Sequence, residues 1–133
     1  MIWNEILCLG DSITFGARDP YKRSYPNELG QILSEKVPDD VYEDNLRQII
    51  SIAKIHGMHV IVGTLPELAF TPLYLNRSYI KRYNDIIYKL SKKMNFDVCD
   101  LSGVEAHYVD GVHFTHEGNV ELANRFTDKI LKL

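Results

Sequence analysis

The chain has 133 residues, 45% hydrophobic and 25% charged, with a formal net charge of −3. That is enough for one domain with a single sizeable core. The mixed, slightly acidic charge excludes the basic footprint of a nucleic-acid binder. No apolar run approaches the roughly 18 residues of a membrane span, so no membrane-spanning partner role is expected.

The N-terminus, "MIWNEILCLG", carries neither a basic n-region nor a small-residue cleavage site. It is read as lacking a signal peptide, and a cytoplasmic location is expected. "EILCLG" (5–10) is a short apolar run stopped by Gly10 and reads as a buried strand. "YPNELGQILSEK" (25–36) reads as a helix, with Pro26 in its first turn and Leu29, Ile32 and Leu33 on one face. After the break "VPDD" (37–40), Asp39 or Asp40 can cap a helix over about 41–56 that Gly57 ends. Its inward positions are expected to be Leu46, Ile49, Ile50 and Ala53.

"MHVIVGTL" (58–65) is a second strand, closed by Pro66. A helix from Asn76 or Ser78 to about Met94 follows a loop, with Tyr79, Tyr83, Ile86, Ile87, Leu90 and Met94 as its stripe. "FDVCDLS" (96–102) is the third strand. Thr115 can cap a last helix with Val120, Ala123, Phe126 and Ile130 inward. Strands alternating with amphipathic helices indicate an α/β domain with a parallel sheet. Two consecutive helices between the first and second strands break that alternation. The two cysteines, Cys8 and Cys99, lie in strand-like runs and read as buried free thiols.

Active sites of open parallel sheets gather past the carboxyl ends of the strands. Ser12, in "GDSITFG" (10–16), lies just past the first strand. It is either a cap on the following turn or a nucleophile with backbone N–H groups beside it. Asp110 and His113 stand three apart, after the last strand and before the last helix. That spacing lets the carboxylate hold one imidazole nitrogen and leaves the other to take a serine proton. About 0.4 D-x-x-H matches are expected by chance, so position rather than spacing gives the pair its weight.

His113 and His116 as metal ligands would need a third donor that the sequence does not mark. No metal or cofactor is expected. His116 reads as a solvent-facing residue at the helix start, and His56 and His59 as surface residues flanking Gly57. The segment "LPELAFTPLYLNRSY" (65–79) is equally an acyl or alcohol pocket and a loop packing its own apolar residues on the core.

Together, "GDSITFG" (10–16) and "DGVHFTHEGN" (110–119) resemble the first and last blocks of the SGNH, or GDSL-type, serine hydrolases. The resemblance implies a flavodoxin-like three-layer α/β/α sandwich that hydrolyses carboxylic esters, or thioesters, through an acyl-enzyme. It implies Ser12 as nucleophile, His113 as general base and acid, and Asp110 as its orienter. The Ser12 backbone N–H becomes one oxyanion donor.

Two internal blocks of that family, one supplying a glycine N–H and one a G-x-N-D asparagine, have no counterpart here. "YND" (83–85) falls within a helix and "VGTL" (62–65) lacks the asparagine. Two family strands are likewise wanting near 34–41, leaving three. Two consequences follow as expectations. One is exposed sheet edges that favour a homodimer. The other is an alternative identity, a catalytically impaired member that binds or scaffolds.

Overall fold

The computed structural model describes residues 38–67, 78–104 and 114–133. The strand 5–10, the helix 25–36 and residues 34–37 of the junction lie outside the described residues. Within them the chain runs α1 (Asp39–Ile55), β1 (Ile61–Gly63), α2 (Ser78–Met94), β2 (Asp97–Cys99) and α3 (His116–Leu131).

Helix α1 starts at Asp39, so Asp39 and Asp40 occupy its first turn and Pro38 takes the cap position expected for one of them. The two carboxylates complement the helix dipole there. The Pro38 carbonyl accepts the first helical bond, from Tyr42 N at 3.0 Å. The helix ends in a Schellman arrangement: Gly57 N–H donates to Lys54 O and Met58 N–H to Ala53 O, both at 3.0 Å. Gly57 has φ +74°, the left-handed conformation this ending requires. Helix α2 ends similarly on Asn95, at φ 57°, whose carbonyl accepts from Lys54 Nζ of α1 at 2.7 Å.

The two strands pair in parallel, with Ile61 opposite Asp97, Val62 opposite Val98 and Gly63 opposite Cys99. Backbone bonds continue one residue further at each end, from Asp97 N to Val60 O and from Thr64 N to Cys99 O. Both strands are shorter than the apolar runs that announce them. Met58 is spent on the turn after α1, and Leu65 is diverted from the ladder by a side chain of α2.

Alternation along the strands sorts the layers. Val62 and Val98 pack on a core of Ile50 from α1, Tyr83, Ile86, Ile87 and Leu90 from α2, and Phe96. Gly63 points the other way, and a Cβ there would lie 3.0 Å from Phe126 Cζ of α3. Helices α1 and α2 thus cover one face and α3 the other, in an α/β/α arrangement.

The stripe expected on α2 is inward: Tyr83, Ile86, Ile87 and Leu90 are buried, and Ile80 joins them. On α1 only Ile50 of the expected set is buried; Ile49 is 49% exposed. On α3, Val120 and Ala123 are exposed, contrary to expectation. Phe126 and Ile130 are half-buried, Gly118 is the buried position of the helix, and Arg125 reaches from α3 to the carbonyls of Asp100 and Ser102 at the end of β2. Cys99 is a buried free thiol, as expected, and Cys8 lies outside the described residues. Among the described residues, no helix is long and apolar enough to cross a membrane.

Candidate active site

The carboxyl ends of β1 and β2 are held by side chains once the ladder stops. Among the described residues Thr64 is the buried polar one, 5% exposed. Its N–H continues the pairing to Cys99 O, and its Oγ1 accepts from Leu101 N at 2.9 Å. One residue on, Leu65 is gripped from α2: its N–H donates to Asn84 Oδ1 at 2.7 Å, and its carbonyl accepts from Asn84 Nδ2 at 2.9 Å. The chain therefore leaves β1 along a fixed path.

The end of β2 is fixed by charge. The Asp100 carboxylate accepts from Ser102 N at 2.9 Å. That bond, with Arg125 nearby, holds the Asp100 carboxyl below its ordinary range. Arg125 donates to the carbonyls of Asp100 and Ser102, while its Nε donates to Glu121 at 3.0 Å. The guanidinium thus serves as a C-terminal clasp for the strand. Burial pushes the Cys99 thiol up, so it is protonated at neutral pH. It has no feature of an activated nucleophile.

Ser12, Asp110 and His113 lie outside the described residues. The structure does describe what brackets the D-x-x-H stretch. Val104 (0% exposed) and Phe114 (2%) are sunk in the core on either side of 105–113. Thr115, directly after Phe114, caps α3: its Oγ1 accepts from Gly118 N at 3.1 Å. The chain thus leaves the 105–113 segment through a buried ring and a capped helix start.

His116 is exposed as the first residue of α3, as expected. His56 and His59 are exposed too; His59 meets Asp97 at 2.7 Å across the opposite, amino end of the sheet. Among the described residues no cluster of His, Cys, Asp or Glu could hold a metal ion. Sequence reasoning passed over Thr64, Asn84 and Arg125. The available signal was a polar residue ending an apolar run, as Thr64 does, and a weak helix former amid an apolar stripe, as Asn84 is.

A parallel β-α-β unit with helices on both faces, organised at its carboxyl ends, defines the class: this chain has the fold of the SGNH, or GDSL-type, hydrolases. Two solved structures share it. One is a "putative acylhydrolase" of Bacteroides fragilis, similar over 71% of this chain with a TM-score of 0.64 and 20% identity. The other is a GDSL-like lipase of Bacteroides thetaiotaomicron, again over 71% of this chain, with a TM-score of 0.62 and 19% identity. The match spans about half of each of those proteins, 52% and 53% respectively. No protein-family model and no curated protein matches the sequence.

Proposed function

We propose that this protein is a serine hydrolase of carboxylic esters, extending to thioesters, that works through an acyl-enzyme. The observation that carries the reading is the coincidence of motif and fold. The sequence holds a Gly-Asp-Ser block after the apolar run 5–10 and an Asp-x-x-His block before its last helix. Its described part has the fold of hydrolases.

In the proposed reaction Ser12 Oγ attacks the ester carbonyl and His113 takes its proton, with Asp110 holding the imidazole in the required tautomer. The developing oxyanion accepts a hydrogen bond from the Ser12 N–H. Collapse expels the alcohol, protonated by His113. Water, deprotonated by the same imidazole, then releases the acid and restores Ser12.

The anchoring of Phe114 and the Thr115 cap supports the role given to His113, since a base works only when its position is fixed. The sequence lacks counterparts of two oxyanion donors, each worth on the order of 10²–10³ in turnover. Slow turnover is therefore expected.

Hydrolysis of p-nitrophenyl acetate by the wild type, Ser12→Ala and His113→Gln tests the proposal. The expected result is a rate above buffer that both substitutions abolish. Equal rates in all three proteins would overturn it and leave a fold that binds without catalysing.

A further inference from the structure

Asn84 sits mid-helix in α2, where asparagine is a weaker helix former than the residues around it. Its neighbours Ile80, Tyr83 and Ile87 are buried, so the carboxamide is presented from a rigid base. Both of its polar atoms are spent on one residue, Leu65, which lies 19 positions earlier in the chain. An amide that accepts from an N–H and donates to the C=O of the same residue imitates a neighbouring strand. It acts at the position where β1 loses its true neighbour, one residue past the last ladder bond of Thr64.

Pro66 follows, and a residue before proline is confined to extended conformations. The Leu65 side chain packs against both apolar clusters, touching the group around Tyr79 and Ile80 and the main core. Backbone and side chain of Leu65 are thus both determined, at the sheet end where parallel α/β folds bind ligands. The residues offered there are apolar, Leu65 and Pro66, both half-buried.

We propose that Asn84 is a positioning residue. By holding the Leu65 peptide at the carboxyl end of β1, it sets the apolar wall that selects the ester chain length. This rests on the hydrolase reading above. Remove the carboxamide, and the N–H and C=O of Leu65 must both find other partners. The peptide then turns and the wall moves, with no change made to the groups assigned to bond cleavage.

The test compares p-nitrophenyl acetate, butyrate and octanoate on the wild type, Asn84→Ala and Asn84→Asp, with Ser12→Ala as blank. In Asn84→Ala the ratio of kcat/KM between octanoate and acetate is expected to change by about tenfold, through KM, within the span that a hydrophobic pocket can discriminate. Asn84→Asp keeps an acceptor for the Leu65 N–H and loses the donor to its carbonyl, so an intermediate shift is expected. Exchange of the Leu65 amide hydrogen should accelerate in Asn84→Ala.

A merely destabilised variant loses active molecules and so lowers all three rates by one factor. Should Asn84→Ala fail to fold, Asn84→Asp decides on the same ratio. Ser12-dependent hydrolysis with an unchanged ester profile in a folded variant overturns the role of Asn84 alone. Absence of any Ser12-dependent hydrolysis in the wild type overturns the hydrolase reading and this inference with it.

Discussion

Three residues, one buried, one conformationally special and one closely packed, show how much a single position can decide. Thr64 is buried, and its hydroxyl is the partner of the Leu101 N–H. Thr64→Val preserves the shape and removes the acceptor, leaving a buried donor unpaired. The expected cost is about 1–3 kcal/mol, measured by urea unfolding, with faster exchange at the Leu101 amide.

Gly57 and Gly63 are both glycines for opposite reasons. A Cβ on Gly57 meets nothing within 4 Å, but the residue sits at φ +74°. Gly57→Ala should cost about 1–2 kcal/mol through backbone conformation alone. A Cβ on Gly63 would lie 2.9 Å from Leu101 Cδ1 and 3.0 Å from Phe126 Cζ, so Gly63→Ala should cost about 1–3 kcal/mol through overpacking. A second substitution separates them. Phe126→Leu should relieve Gly63→Ala and leave Gly57→Ala unchanged in a double-mutant cycle.

Between elements, the α1–α2 contact combines rings and charges. Tyr42 stacks on Tyr83 with centroids 3.9 Å apart and planes 5° from parallel, and Tyr79 meets Tyr83 edge-on at 5.5 Å. Arg82 donates to the Asp39 carboxylate at 3.1 Å, and Lys89 pairs with Glu43 at 2.5 Å. The Lys89 ammonium, helped by Arg47 and Lys93, holds the Glu43 carboxyl below its ordinary value of 4.5.

A depressed carboxyl pKa contributes stability above the unfolded value and loses it as pH falls through the folded one. Glu43→Gln should therefore be less stable than wild type near pH 6. The gap should narrow as pH falls below the ordinary carboxyl value of 4.5 and close once it has passed the lower folded value, where Glu43 takes up its proton. Thermal unfolding from pH 2 to 7 checks this. Because the pair is near solvent, added salt should shrink the gap.

At the scale of the whole molecule, the described layers bracket the D-x-x-H stretch between two sunken anchors. Phe114→Ala empties a site that is 2% exposed, and should cost about 3–5 kcal/mol. On the hydrolase reading, ester turnover should fall further than the loss of folded molecules explains, because His113 is its immediate neighbour. Activity measured against the folded fraction from circular dichroism separates the two effects.

Helix positions and types were legible in the sequence because 3.6-residue apolar periodicity and end signals are local. Thr115 caps α3, Gly57 ends α1, and Tyr83, Ile86, Ile87 and Leu90 of α2 are buried as their spacing indicates. The inner face of α3 was legible only in part: Phe126 and Ile130 are half-buried as expected, Val120 and Ala123 are exposed, and the bonds from Arg125 to carbonyls 23 and 25 residues earlier leave no local signal. Strand length was not legible either. The apolar run 58–65 continues past the ladder, and what ends β1 at Gly63 is contact with other elements.

The sequence by itself determined the class of fold, through alternating strands and amphipathic helices. It also determined the candidate chemistry, since nucleophile, base and orienter are a matter of residue type and order. Only the tertiary structure decided how the strand ends are fixed. The roles of Thr64 and Asn84 come from hydrogen bonds across 37 and 19 residues, and no local pattern encodes a bond whose partner is brought near by folding. A hydroxyl after an apolar run and an amide in a helix look incidental in one dimension. In the folded chain each meets a backbone group that the end of the sheet would otherwise leave unpaired.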